Sequence, residues 1–108
     1  MATVAKLMEE LPSRFEPETA ANLNAVVQFD LTPAGEGGSY YVTIQGGTCT
    51  LKDGVHMSPN MTIKMTAADY VALATGGLSH QMAFMTRQLR IHGDLELATK
   101  LRHLLALG

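Results

Sequence analysis

Apolar and polar residues alternate in five short segments of this chain, and this period of two is typical of half-buried β-strands. The clearest segment, residues 24–31, places Val27 and Phe29 on one face and Gln28 on the other. The remaining predicted strands are Tyr40–Gln45, a third that passes Cys49 and Leu51 and ends at the Asp53–Gly54 turn, Met61–Met65 and Leu89–Ile91. Between the second and third strands, Gly46 and Gly47 predict a two-residue hairpin loop, because both can adopt positive φ.

Apolar residues spaced three and four positions apart predict helices at both ends of the chain and after the fourth strand. Residues 4–11 form one amphipathic segment, and a short helical turn is predicted at residues 16–18. Thr66 and Asp69 form a variant of the capping box, which opens a helix from Ala67 to Thr75. Gly76 is suited to close that helix. Two further helices are predicted, Leu78–Met85 and a leucine-rich helix capped by Asp94.

This order of elements indicates an α+β domain in which helices cover one face of a sheet. With 108 residues, the chain is expected to form one domain. A net charge of −2 provides no basic field for nucleic acid. A single cysteine, no apolar run of about 20 residues and no signal-peptide pattern predict a cytoplasmic protein.

Residues capable of catalysis are sparse, and none forms a recognisable constellation. Cys49 lies in a predicted strand without a basic neighbour and is interpreted as a small apolar residue. His92 and Asp94 flank Gly93, but a strand end followed by a helix cap explains them better than an acid–base pair. The four histidines lack metal-ligand spacing, so no metal, no cofactor and no enzymatic activity are predicted.

Two sets of residues leave a functional alternative open. Four basic residues cluster in the C-terminal part of the sequence: Arg87, Arg90, Lys100 and Arg102. They form either a solvent-exposed face or a weak docking patch for a carboxylate, a CoA phosphate or an anionic membrane surface. Four methionines lie on elements predicted to face one another, namely Met61, Met65, Met82 and Met85. By themselves, these methionines favour an ordinary core, although flexible thioethers also suit an adaptable apolar pocket.

The order and spacing of several short motifs resemble the sterol carrier protein 2 family, over residues 15–105. The motifs are Val26-Val27-Gln28-Phe29-Asp30-Leu31, Asp69-Tyr70, Ala83-Phe84-Met85, Leu89-Arg90-Ile91-His92-Gly93-Asp94 and Leu97-Ala98-Thr99-Lys100-Leu101. One departure is Arg87-Gln88, which stands where such domains often carry Gly-Lys before the last strand.

The resemblance implies a five-stranded mixed sheet of order 3-2-1-4-5, covered on one face by helices, with an apolar tunnel between them. The implied function of residues 1–108 is that of a non-enzymatic carrier for a fatty acid, fatty acyl-CoA, isoprenoid or sterol-like molecule. The alternative is an accessory module that presents a lipid or quinone-type substrate to a partner enzyme or dimerises through its apolar groove. A transient membrane contact and a homodimer are also compatible with this family.

The predicted lining of the tunnel consists of the inward-facing apolar residues of the strands and late helices. These are Val27, Phe29, Tyr40, Val42, Ile44, Met61, Ile63, Met65, Met82, Phe84, Met85, Leu89, Ile91, Leu101, Leu104 and Leu105. The hydroxyl of Tyr40 or Tyr70 is a candidate to orient a polar head group. The last helix, which carries Leu101, Leu104 and Leu105, is predicted to act as a lid.

Overall fold

The computed structural model describes residues 3–10, 24–33, 35 and 37–93. The described elements follow one another as α1 (Val4–Glu10), β1 (Ala25–Thr32), β2 (Gly38–Gln45), β3 (Thr48–Asp53), β4 (Met61–Thr66), α2 (Ala67–Ala74), α3 (His80–Met85) and β5 (Arg90–Gly93). The turn predicted at residues 16–18 and the helix predicted after Asp94 lie outside the described residues.

The five strands form one sheet in the order β3-β2-β1-β4-β5. β1 pairs in parallel with β4, whereas the β1–β2, β2–β3 and β4–β5 pairs are antiparallel. The sheet is therefore mixed, and the predicted fold class and strand order are confirmed.

The strand register places the predicted apolar face on one side of the sheet. Phe29 lies opposite Tyr40 on β2 and opposite Ile63 on β4, and Val27 lies opposite Val42 and Met61. Val27, Phe29 and Val42 are fully buried at the centre of this face. The Gly46-Gly47 loop joins β2 to β3 with φ values of 57° and 80°, as its sequence predicts.

Helices α1 and α2 pack together over this inner face of the sheet. Tyr70 of α2 meets Phe29 edge to face, with ring centroids 6.2 Å apart. Its hydroxyl donates to the Met8 sulfur of α1 at 3.9 Å, so one aromatic side chain connects both helices to β1. Helix α1 packs through its own residues Val4, Leu7 and Met8, which are all buried as their spacing predicts.

The ends of α2 follow the predicted capping residues. The Thr66 hydroxyl accepts a hydrogen bond from the Asp69 amide at 3.1 Å. Gly76 adopts φ 86° just beyond the helix, and the Gly77 amide donates to the Ala72 carbonyl at 2.7 Å. Helix α3 begins two residues later than predicted, because Ser79 caps it by accepting from the Met82 amide at 3.1 Å.

The outer face of the sheet is covered in part by the β3–β4 connection, residues 54–60, and Gln28 holds this connection in place. Although Gln28 points away from the helices as predicted, it is only 2% exposed. Its amide nitrogen donates to the Gly54 carbonyl at 2.9 Å, and its amide oxygen accepts from the His56 amide at 2.8 Å. Asn60 adds a second attachment, since its side-chain oxygen accepts from the Val26 amide at 2.8 Å.

Arg87 adopts the left-handed conformation, with φ 62°. Among the described residues, every other residue with positive φ is a glycine. Arg87 follows Thr86, the C-terminal cap of α3, and lets the Leu89 amide reach back to the Ala83 carbonyl at 2.9 Å. Glycine is the usual residue at such a position, because a Cβ disfavours positive φ. The tight turn that the resemblance associates with glycine is therefore retained with an arginine.

Replacing Gln28 with leucine is expected to destabilise the fold by about 2–4 kcal/mol, because it leaves the partly buried Gly54 carbonyl and His56 amide without their Gln28 partner. Chemical denaturation monitored by circular dichroism measures this loss. The control is Gln45→Leu, an exposed glutamine of β2, which should change the free energy of unfolding by less than about 0.5 kcal/mol. Equal effects of the two substitutions would contradict the role assigned to Gln28.

Replacing Arg87 with glycine is expected to stabilise the fold by up to about 1 kcal/mol. Relief of the left-handed strain contributes about 1–2 kcal/mol, and the greater unfolded-state freedom of glycine offsets part of it. Thermal unfolding measures the change. Arg87→Ala, which keeps a Cβ, should give no such gain, and a gain as large as that of glycine would show that the arginine charge, not its backbone, is responsible.

Candidate functional site

The inner face of the sheet is an apolar wall formed by neighbouring strands. Eight of the predicted lining residues are buried: Val27, Phe29, Val42, Ile44, Met61, Ile63 and Met65 lie on strands, and Leu89 directly precedes β5. Within the described part of the chain, every buried side-chain nitrogen or oxygen has a hydrogen-bond partner. This surface therefore offers apolar contacts to a ligand, and its buried side-chain nitrogen and oxygen atoms are already hydrogen-bonded within the protein.

The helices do not cover this wall evenly. Helix α2 contacts β1 and β4, the central strands. Toward the edge of the sheet, Tyr40, Cys49 and Leu51 continue the same face but are only half-buried, and we call these three residues the β3 border. The register places Cys49 opposite Ile44 and Leu51 opposite Val42, so the border is continuous with the buried wall.

The two tyrosines considered for a polar head group lie in different surroundings. Tyr40 belongs to the β3 border, where its hydroxyl donates to the Gly37 carbonyl at 3.4 Å. Tyr70 is 2% exposed and its hydroxyl lies between α1 and β1, against Met8. A head group at the border would therefore meet Tyr40, whereas Tyr70 serves the packing of the helices.

Helix α3 presents its larger apolar side chains to solvent. Ala83 is its contact with the core and is fully buried, while Met82, Phe84 and Met85 are 53%, 52% and 68% exposed. We call these three residues the α3 patch. Met82 and Met85 therefore do not belong to the buried wall that contains Met61 and Met65. That the four methionines line one ligand site stays a prediction. At 100° per residue, all three patch residues lie on the arc of the helix opposite Ala83.

The remaining predicted lining residues lie elsewhere. Ile91 is half-buried opposite Ile63 on β5. Leu101, Leu104 and Leu105, together with the lid assigned to their helix, lie outside the described residues. Arg90 does not share a surface with the α3 patch, because its register partner Lys64 belongs to the outer face of the sheet.

Chemically reactive groups are few in the described residues. Cys49 is the free cysteine, and burial raises the pKa of its thiol above the usual range. No group of three or more histidine, cysteine or acidic side chains in residues 3–10, 24–33 and 37–93 is placed to hold a metal ion. The helices described in this structure include none that is long and apolar enough to cross a membrane.

Residues 5–106 match the SCP-2 sterol transfer family. The chain belongs to this family. It is 32% identical over 72 residues to human sterol carrier protein 2, and the aligned region covers 67% of this chain but 13% of the human protein. The chain thus spans between 13% and 25% of the length of the curated relatives it matches.

Solved structures show the same fold in two settings. The chain superposes on a double mutant of PisA1, a sec-alkylsulfatase from Pseudomonas sp., with a TM-score of 0.83 and 17% identity, covering 96% of this chain and 16% of the enzyme. It superposes on palmitated SCP2L2 from Aedes aegypti with a TM-score of 0.80 and 21% identity, covering 96% of this chain and 95% of that protein. The SCP-2 fold therefore occurs both by itself and within a larger enzyme.

Sequence reasoning missed two features of this SCP-2 domain. The first is the exposure of the α3 patch: among residues 81–85 of α3, Ala83 is buried, and the three larger apolar side chains lie on the opposite arc. The burial of Gln28 depends on residues 54–60, which are more than 25 positions away. A glutamine within a β-branched and aromatic strand was the available signal, since such a residue needs partners when it is buried.

The thiol of Cys49 is expected to react slowly with an alkylating reagent at neutral pH, because its raised pKa keeps it protonated. Its rate should rise with pH along a curve displaced to higher pH relative to the denatured chain. Mass spectrometry of iodoacetamide-treated protein measures both curves. Coincident curves would show that the thiol is not desolvated by the fold.

Proposed function

We propose that this SCP-2 domain is a non-enzymatic lipid carrier whose ligand lies against the inner face of the sheet. The single observation that carries the proposal is the β3 border, an apolar extension of the buried wall that the described helices leave half-covered. Ligand sites of this kind are concave or open to one side, mostly apolar, and contain few polar groups. A tunnel between sheet and helices, opening at this border, is part of the proposal.

The proposed ligand class is a long acyl chain, as a fatty acid or fatty acyl-CoA, with isoprenoids and sterol-like molecules as further members. Family membership supports a lipid, and the palmitated state of the Aedes aegypti relative supports a fatty acid in particular. Each buried methylene would contribute about 0.8 kcal/mol, and the flexible side chains of Met61 and Met65 suit chains of different shape. Tyr40 is the proposed partner of the polar head.

The predicted lining residues take three roles in this proposal. The eight buried residues form the wall, and half-buried Tyr40 and Ile91 lie toward its two sides. Met82, Phe84 and Met85 are assigned to the rim of the ligand site, the border between the bound ligand and solvent. Leu101, Leu104 and Leu105 keep their predicted role as a lid. Burial raises the pKa of the Cys49 thiol and so disfavours the nucleophilic thiolate, which supports binding without catalysis. A single free cysteine also suits the reducing cytoplasm, where we propose that the carrier acts.

A second candidate function is that of an accessory module within a lipid- or quinone-processing assembly. The observation that favours it is the coverage of relatives, because the chain corresponds to 16% of the sulfatase and 13% of the human protein. In this case the same border would present a bound substrate to a partner enzyme. Transfer of a loaded lipid to acceptor vesicles without any enzyme supports the carrier, whereas retention until an enzyme is added supports the module.

Palmitate is expected to bind with a Kd of about 1 μM, measured by displacement of a fluorescent fatty acid. Leu51→Asp should weaken binding at least about tenfold, because it places a carboxylate in the proposed apolar opening. The matched control is Thr50→Asp, which adds the same charge on the neighbouring, outward-facing position of β3 and should leave Kd within about twofold.

A second readout does not depend on a substitution. Bound palmitate should slow alkylation of Cys49 in the unmodified chain, because the thiol lies in the same border as Leu51. Circular dichroism of both variants checks that they are folded. If the folded chain binds no fatty acid, isoprenoid or sterol probe, the carrier function is wrong; if Thr50→Asp weakens binding as much as Leu51→Asp, the site lies elsewhere.

A further inference from the structure

The α3 patch is the largest group of neighbouring exposed apolar side chains on one helix in the described part of the chain. Met82, Phe84 and Met85 are each more than half exposed, although burying them would be favourable. The other exposed large apolar residues, Val55 and Met57, lie in the 54–60 connection on the opposite face of the sheet. The α3 patch is therefore a separate surface from the one that carries Val55 and Met57.

The charges around this patch differ from those of the whole chain. The chain carries ten acidic and eight basic residues, but residues 70–89, which include α3, contain no aspartate or glutamate and include Arg87. Asp69 precedes this segment, and its half-buried carboxylate accepts a hydrogen bond from the Gln88 side-chain amide at 3.2 Å. Arg87, two residues beyond the patch, is exposed.

We propose that the α3 patch docks this domain on the surface of an anionic lipid bilayer. Met and Phe side chains on a helix arc are suited to enter the boundary between head groups and acyl chains. Arg87 would remain at the level of the anionic phosphates, because a long cationic side chain places its charge in the polar layer. The inference rests on the proposed carrier function, which requires the domain to collect its ligand from a membrane.

Two observations disfavour a protein as the occupant. Three side chains on a six-residue helix are few for a stable protein interface, which buries about 800 Å² on each partner. A symmetric contact between two copies would also bring two acid-free, arginine-bearing segments together, which like charges oppose. An anionic bilayer satisfies both the apolar and the cationic character of the surface.

The chain contains no tryptophan, so single-tryptophan variants can report the docking site. With vesicles of phosphatidylcholine containing about one quarter phosphatidylglycerol, the fluorescence of Phe84→Trp should shift to shorter wavelength. Met57→Trp, at the fully exposed position on the opposite face, should show no shift. A shift of the Met57 reporter alone, or of both reporters equally, would overturn the proposal.

The energetic test compares matched substitutions by vesicle co-sedimentation. Met85→Asp should lower the partition coefficient at least about tenfold, whereas Met57→Asp, with the same change in charge, should leave it unaltered. Arg87→Asn removes the charge while keeping a residue that tolerates positive φ, and should weaken binding about fivefold to the anionic vesicles but not to pure phosphatidylcholine.

Three outcomes count against the proposal. These are no partition of the parent chain onto either kind of vesicle, equal losses for the two aspartate variants, and a Met85-dependent dimer in sedimentation velocity without vesicle binding. Palmitate binding by Met57→Asp and Arg87→Asn is measured in parallel and should match the parent chain. Docking that depends on Met85 in a chain that binds no palmitate would support the surface and refute the carrier function.

Discussion

The parallel pairing of β1 with β4 is the contact on which the other parts of this structure depend. It places Phe29 beside Ile63 and Val27 beside Met61, so that the two central strands are buried and the inner face is continuous. Because β4 leads directly into α2 through the Thr66 cap, the same pairing positions α2 above the centre of the sheet. It also requires the chain to pass from the edge strand β3 back to the middle, across the outer face.

That return across the sheet explains the burial of Gln28. Two parallel strands need a longer connection than a hairpin, and residues 54–60 are the segment of that connection that leads from β3 into β4. Where this segment is covered, its backbone N–H and C=O groups need hydrogen-bond partners within the protein. The Gln28 amide offers both a donor and an acceptor, and so serves Gly54 and His56 at once. One polar side chain on an otherwise ordinary strand thereby fixes the path of a loop on the face away from the proposed ligand.

The inner face must serve two purposes that compete. Residues packed by α1 and α2 stabilise the fold, and the same side chains are unavailable to a ligand as long as the helices cover them. Apolar groups remain partly uncovered at the β3 border, near an edge of the sheet, and at the α3 patch, on a short helix. In the function and the docking mode proposed above, the ligand lies at the β3 border and the membrane contacts the α3 patch.

The sequence by itself determined the local features, since their partners lie within a few residues. The Thr66–Asp69 cap, the Gly46-Gly47 hairpin and the alternation along β1 are all of this kind, and strand order came from resemblance to the family. The tertiary structure decided that Met82 and Met85 are exposed while Met61 and Met65 are buried, because α3 turns Ala83 toward the core. It also decided that Arg87 adopts the conformation usually left to glycine and that Gln28 is buried. Each of these depends on packing or on contacts between distant segments, which neither spacing nor propensity encodes.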